Sequence, residues 1–459
     1  MMAAMSLRAL AAELGAPYSG PELTVAGVAT DSRKVVSGDL YVALQGERFD
    51  GHEFIAEVAA GGAVAAVVSS PVQCELPQLT VHDTREALGL VARVNRRRFP
   101  GPVVGITGSA GKTTCKEMLA EILAGLGSTL ATQGNLNNEI GVPLTLLRLA
   151  PEHRYAVIEM GAARAGDITY LCRFAEPEIG IVTSALPAHL EGFGSLETIA
   201  ATKGELFSGL RGDGTAVINA DDPFAPLWHR LAGSRRVLTF GLGEGAAFSA
   251  RAIAPVANGL GFELVTPAGC IDVELQLLGR HNVRNALAAA AAASAAGADL
   301  AAISAGLGRV RPVRGRLQVR RGRGGNTVID DSYNANPGAV KAAIDVLAEY
   351  PGRRRLILGN MAELGGSAAA LHREVAKYAA VRGIEELWCV GPWSRAMAAE
   401  FDAAGAGRAR VFADNAAIVA ACSDATVDSA DVVLVKGSRS AGLEVVVAVL
   451  CDDVAGGGH

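Results

Sequence analysis

The sequence predicts a mixed α/β protein of three successive domains, spanning residues 1–84, 85–313 and 314–459. Three observations predict it. Short apolar runs of strand character alternate with helical stretches, the pattern of mostly parallel sheets covered by helices on both faces. One such run, Val103–Thr107, opens into Gly108, Ser109, Ala110, Gly111, Lys112, Thr113 and Thr114 and then a helical stretch, which is the order of a phosphate cradle. The length of 459 residues accommodates two to four domains, and abundant alanine and glycine with only 5% aromatics suit close helix-on-sheet packing.

Bulk properties exclude several classes. A formal charge of −5 provides no global field toward nucleic acid or anionic membrane. The seven cysteines are scattered and lack C-x-x-C spacing, so they read as reduced thiols in a cytoplasmic protein. Residues 1–16 are alanine-rich, but Arg8 and Glu13 interrupt them, predicting an amphipathic first helix rather than a signal peptide. The longest uncharged apolar tracts, 59–69 and 286–298, fall short of a membrane span.

In the first domain, strand-like runs at 25–28, 39–44, 63–68 and 79–81 surround two polar segments. One carries Thr30, Asp31, Ser32 and Arg33, the other Gly46 and Arg48; each reads equally as a ligand-holding loop or as a solvated turn. The second domain opens with a helix at 84–97 and reaches the glycine loop after Pro100 and Pro102. The strict pattern G-x-x-x-x-G-K-[ST] wants Gly at 106, where Ile stands. Even so, Lys112 is placed to reach the β- and γ-phosphates and the Thr113 hydroxyl to meet Mg²⁺. An amide-rich loop at 133–143 follows, with Asn135 and Asn138. Buried-strand runs at 154–160 and 178–184 end near Glu159 and His189. Ligands of open parallel sheets collect at the carboxyl ends of strands, so the loop, Glu159 and His189 can share one crevice.

Thr113 and Glu159 supply hard oxygens suited to one Mg²⁺, whereas His189 by itself reads more readily as a hydrogen-bonding loop histidine. Lys203, within a helix at 195–210, reads as a solvated charge. Asn282 and Asn285, three apart at the start of the alanine-rich helix, suit an adenine edge or ordinary capping equally. Seven arginines fall within 309–323. Without aromatics for base stacking they favour an inter-domain connector with one or two arginines aimed at phosphate. The third domain repeats the α/β rhythm with strands at 327–330, 355–358, 386–390 and 432–435 and polar loops after them.

Together these segments resemble the Mur ligases, ATP-dependent amide-forming enzymes of peptidoglycan precursor synthesis, over nearly the whole chain. Thr-Gly-x-x-Gly-Lys-Thr at 107–113 is shared by that superfamily, including folylpolyglutamate synthases, and accounts for the displaced glycine. GNLNNEIGVPLTLL (134–147), AHLEGFGS (188–195), DDSYNANP (330–337), GNMAELG (359–365) and VKGSRS (435–440) resemble the member that joins D-alanyl-D-alanine to UDP-N-acetylmuramoyl-tripeptide. The resemblance implies a uridine-nucleotide-binding first domain, a central phosphate-loop ATPase domain and a Rossmann-like third domain that closes on ATP and binds the incoming dipeptide. It assigns residues 107–114, Asn282, Asn285, Arg316 and Asp331 to ATP. It assigns Thr113, Glu159, His189 and a CO₂-carbamylated Lys203 to two Mg²⁺ ions, with Lys112, Lys203, His189 and Glu159 as the catalytic set. Thr30, Asp31, Ser32, Arg33, Gly46, Arg48, Asn135 and Asn138 fall to the uridine-nucleotide substrate. It further implies a monomer acting on small molecules, with no nucleic-acid partner and no membrane insertion. Asn360 stands where Asp is frequent and Arg314 where Pro is frequent; Lys436, Ser438 and Arg439 receive no role. A folylpolyglutamate synthase and a nucleotide-dependent switch or RNA-binding factor are the competing readings.

Overall fold

The computed structural model describes residues 2–188, 190–257, 259–405, 407–424 and 429–451. Two parallel sheets and one mostly parallel sheet follow one another along the chain, and mixed α/β architecture is the outcome. The first sheet has four strands in the order Gly27–Ala29, Asp39–Val42, Ala65–Val68 and Gln78–Thr80, every neighbouring pair parallel. The amphipathic first helix is shorter than the sequence suggests, covering only Leu7–Glu13 with Ser6 as its cap. Gly15 then takes a left-handed φ of 62° as the chain leaves that helix.

The central sheet has six parallel strands in the order Thr129–Ala131, Tyr155–Glu159, Val103–Thr107, Ile179–Val182, Thr215–Asn219 and Arg236–Phe240. The chain starts in Val103–Thr107, lays the edge strand Thr129–Ala131 on one side and fills the gap with Tyr155–Glu159, then crosses to build outward on the other side. The carboxyl end of that strand is therefore the topological switch point, where an open α/β sheet leaves a crevice. Alternate residues of the buried strands feed two cores: Val103 and Ile158 face one side, Val104, Ile106 and Val157 the other. The second side is filled by Cys115, Met118, Leu119 and Ile122 of the helix Lys112–Ala124 and by the alanines of Arg280–Ala295. A third helix, Leu300–Arg309, also packs closely on Lys112–Ala124: a Cβ added at Gly306 would lie 2.5 Å from the Ile122 Cα.

Against the same core packs a three-stranded antiparallel sheet, Ser249–Val256, Gly259–Thr266 and Gly269–Leu275, which the sequence reading did not anticipate. The third domain's sheet runs Gln318–Arg321, Thr327–Asp331, Val432–Lys436, Arg354–Leu358, Glu386–Val390 and Arg408–Phe412, parallel except for its first strand. Its two faces also bury separate cores, with Ile329, Leu356 and Leu434 on one and Val328, Ile357 and Val433 on the other.

The first and second domains share one hydrophobic core. Leu7, Leu10 and Val67 join Leu88, Val91 and Phe174 around the helix Thr84–Arg98. The third domain meets the second through hydrogen bonds at the crevice, Arg316 to Thr113 and Asn336 to Ser109, and through apolar contacts that include Leu278 and Leu186. Among the described residues no helix is long and apolar enough to cross a membrane.

Candidate active site

The crevice at the switch point is a cleft of about 1290 Å³ lined by all three domains. Its floor is the glycine loop. Gly108 (φ 142°) and Gly111 (φ 82°) adopt backbone conformations that favour glycine, and a Cβ on either would strike Thr183 Oγ1 or Asn285 Oδ1. Thr183 Oγ1 donates to the Ala110 carbonyl at 2.6 Å, and Ser109 N–H donates to the Ser184 carbonyl at 2.9 Å, so the neighbouring strand's end holds the loop open. Ser109 to Thr114 all line the cleft, and the helix starting at Lys112 presents its N-terminus there, a ready anion site. Thr107 lies beneath, fully buried, with its hydroxyl donating to the Met160 carbonyl; it supports the loop rather than lining the cleft.

Lys112 Nζ donates to the Gly108 carbonyl at 2.6 Å. Burial pushes its pKa down, as does the Arg316 charge, while Glu159 pulls the other way. Lys203 is 2% exposed. Its pKa is pushed down to about 7, first by burial and then by the nearby Lys112 charge, with Asp167 and Glu205 opposing. A solvated charge is therefore excluded for Lys203. Its one hydrogen bond among the described residues is long, 3.4 Å to the Ala162 carbonyl, and the Phe193 ring lies 5.3 Å from Nζ.

Glu159, at the end of its buried strand, is 2% exposed. Asn137 Nδ2 donates to Oε1 at 2.8 Å, while Oε2 is buried without a partner. An orphaned carboxylate oxygen in a nucleotide cleft costs several kcal/mol unless a cation answers it. With the Thr113 hydroxyl it makes a hard-oxygen set that fits Mg²⁺, an ion that takes its other ligands from phosphate and water. No cluster of three His, Cys, Asp or Glu side chains able to hold a metal occurs among the described residues. His189 lies outside the described residues.

From the third domain, Arg316 Nη2 donates to Thr113 Oγ1 at 3.0 Å and its guanidinium stacks 4.5 Å from the Tyr333 ring centroid. Asn336 Nδ2 reaches the Ser109 carbonyl at 3.4 Å while Oδ1 caps the helix Pro337–Ala348. Asp331 is buried, paired with Lys436 and accepting from Leu317 N–H at 3.2 Å. Asn282 and Asn285 both line the cleft and are linked by a 3.0 Å side-chain hydrogen bond. Asn282 also donates to the Leu278 carbonyl, and no side chain caps the helix Arg280–Ala295, so the two asparagines line the cleft without capping that helix.

The residues expected to hold the uridine nucleotide divide. Asn135 and Asn138 line the central cleft, whereas Gly46 and Arg48 line a separate shallow cavity of about 460 Å³ on the hairpin 45–50. Thr30 to Arg33 lie beside neither, in a turn where Asp31 caps Ser32–Lys34 and pairs with Arg33. Arg85 joins the two regions, lining the cleft while reaching the Gln45 carbonyl at 3.5 Å. Sequence reasoning missed Asn137, Arg85, His281, Asn336 and Lys436 as cleft residues. Lys436 had a legible signal, a cation ending an otherwise apolar strand; Arg85 had none.

A glycine loop at the switch point of a parallel sheet, with an orphaned glutamate beside it and a third-domain arginine on Thr113, is the site of a protein that handles a nucleotide's phosphates. Residues 24–97, 106–293 and 315–439 match, in order, the Mur ligase family catalytic domain, the Mur ligase middle domain and the Mur ligase glutamate ligase domain. The chain belongs to the Mur ligase family. Within it, the chain is 46% identical over 451 residues (98% of this chain, 99% of the relative) to the UDP-N-acetylmuramoyl-tripeptide–D-alanyl-D-alanine ligase of Escherichia coli. MurF of Acinetobacter baumannii superposes with a TM-score of 0.92 at 34% identity, covering 98% of this chain and all of that one. MurF of Thermotoga maritima, solved in complex with ADP, superposes at 0.81 and 30% identity over 92% and 96% of the two chains.

Proposed function

We propose that this chain is an ATP-dependent acid–amino-acid ligase. It joins D-alanyl-D-alanine to UDP-N-acetylmuramoyl-tripeptide, yielding UDP-N-acetylmuramoyl-pentapeptide, ADP and phosphate for peptidoglycan synthesis. The observation that carries the reading is the convergence of Lys112, Thr113, Glu159, Lys203, Arg316 and Asp331 on one cleft built from separated parts of the chain.

The tripeptide's terminal carboxylate attacks the γ-phosphorus of ATP in line, giving an acyl phosphate and ADP. The dipeptide amine then adds to the acyl carbon, and the tetrahedral intermediate expels phosphate to leave the amide. Phosphoryl transfer leaves little covalent work to the protein, so positioning and charge stabilisation dominate. The loop's backbone N–H groups and Lys112 hold the β- and γ-phosphates. Asn282 and Asn285 flank the adenine, and Arg316 with Asp331 bring the third domain to the nucleotide. Thr113, Glu159, His189 and a carbamylated Lys203 would hold two Mg²⁺ ions, which when bound neutralise the charge that a carboxylate meets on approaching a polyphosphate. A buried Lys203 with its pKa near 7 keeps a neutral amine fraction able to accept CO₂. Thr30, Asp31, Ser32, Arg33, Gly46 and Arg48 face the uridine diphosphate end, with Asn135 and Asn138 nearer the peptide. The protein acts as a cytoplasmic monomer, its domains divided at 84/85 and 313/314.

Carboxylate ¹⁸O labelling tests the order of steps. With both terminal carboxylate oxygens of the tripeptide labelled, one ¹⁸O should appear in each phosphate released; unlabelled phosphate would exclude the acyl phosphate.

A further inference from the structure

We propose that Asn137 is a positioning residue that presents Glu159 to the metal. The carboxylate of Glu159 is asymmetrically served: Oε1 accepts from Asn137 Nδ2 at 2.8 Å, and Oε2 is buried with no partner. An isolated glutamate has three side-chain torsions to fix and two equivalent oxygens to offer, and freezing them at the moment of metal binding costs affinity. Here one oxygen is committed beforehand, which leaves the other as the single ligand.

The geometry around Asn137 is built for this. Its own backbone is tied to the strand that carries Glu159, since Gly161 N–H donates to the Asn137 carbonyl at 2.7 Å. Asn137 N–H in turn donates to the Asn135 carbonyl at 2.7 Å. The Glu159 main chain is fixed independently, its N–H donating to Thr132 Oγ1 at 2.9 Å. Side chain and backbone of Glu159 are therefore held at two points, five residues apart, on the stretch that follows the strand Thr129–Ala131. An amide suits the position because it donates without adding charge; a lysine there would neutralise the carboxylate that must attract the cation.

The inference rests on the ligase reading and is separable from it by direct metal binding. Mn²⁺ serves as the probe, observed by electron paramagnetic resonance with ADP present, in the full-length wild-type chain and in Asn137→Ala and the near-isosteric Asn137→Leu. Partners of metal ligands are typically worth about 10–100-fold in metal affinity. Both variants should bind Mn²⁺ weaker by about that factor, while ADP affinity in the presence of a chelator stays within about twofold of wild type. The Mg²⁺ concentration for half-maximal turnover should rise in parallel. Wild-type Mn²⁺ affinity in either variant would overturn the proposal, as would a fall in turnover that leaves the Mg²⁺ requirement unchanged. Failure of both variants to fold would make Asn137 a determinant of the fold instead. Absence of Mn²⁺ binding in the wild-type chain would overturn the metal assignment on which the inference rests.

Discussion

Lys203 shows how much a residue's role depends on what surrounds it. In sequence it is one cation in a helix of mixed character. In the fold it is buried, 2% exposed, and near Lys112 its pKa falls to about 7. Carbamylation consumes the neutral amine and releases a proton, so occupancy rises as pH climbs through 7. At pH 8 about nine-tenths of such an amine is neutral and at pH 6 about one-tenth. ¹³C-bicarbonate should therefore give a carbamate resonance at pH 8 that fades by pH 6 and is absent from Lys203→Ala. That variant should be inactive and partly restored by short carboxylic acids; a pH-independent signal, or none, would count against the role. Lys112 was legible from its place after Gly111. Its replacement by Ala should lower turnover by on the order of 10²-fold or more, by analogy with the loss of one preorganised charge-stabilising donor. Near-normal ATP-dependent ligation by Lys112→Ala would reject the assignment. Asn137 was not legible as a site residue, because nothing in an amide-rich loop says which amide reaches a carboxylate 22 positions on.

At the scale of elements, Val103–Thr107, Tyr155–Glu159 and Ile179–Val182 of the central sheet and Thr327–Asp331, Arg354–Leu358, Glu386–Val390 and Val432–Lys436 of the third were read within two residues of their observed ends, whereas Thr129–Ala131, Thr215–Asn219, Arg236–Phe240, Gln318–Arg321 and Arg408–Phe412 were not read as strands. Continuous burial on both faces leaves uninterrupted apolar runs such as those of Tyr155–Glu159 and Val432–Lys436. The antiparallel sheet 249–275 escaped notice because one face is solvated and its first strand is mostly exposed, so no apolar run marks it. The arginines of 309–323 also separate only in three dimensions. Arg309 donates to the Glu121 carbonyl, Arg316 enters the site, and Arg320 and Arg321 fall on an edge strand. Helix packing makes a sharp prediction at Gly306, whose helix Leu300–Arg309 crosses the helix behind the glycine loop. Gly306→Ala places a methyl against the Ile122 backbone, which cannot rotate away. Overpacking should cost about 1–3 kcal/mol in chemical denaturation, even though Ala is the better helix former. A neutral or stabilising result would show that the two helices separate freely.

Across the whole molecule, the contrast between the two domain junctions matters most. A shared apolar core joins the first domain to the second, whereas the third meets the second through polar contacts at the cleft together with a few apolar ones, Leu278 among them. On the ligase reading the third domain is expected to close on ATP and shield the acyl phosphate from hydrolysis. The connector supports this: Gly315 has φ 72° and Leu317 φ 49°, flanking Arg316. A side chain at 315 would be strained there and would sit 3.1 Å from Tyr333 Cβ, against the residue on which Arg316 stacks. Gly315→Val should therefore raise the KM for ATP about tenfold or more while the ADP-free first and second domains melt as before; an unchanged KM would remove the connector from the nucleotide site.

The central claim, that three domains meet to activate a peptide carboxylate for one particular amine, is tested most directly by phosphate release with ATP, Mg²⁺ and UDP-N-acetylmuramoyl-tripeptide, with and without D-alanyl-D-alanine. The account predicts sustained release only with the dipeptide present, one phosphate for each UDP-N-acetylmuramoyl-pentapeptide formed. Release that ignores the dipeptide, or none with both substrates present, would contradict it.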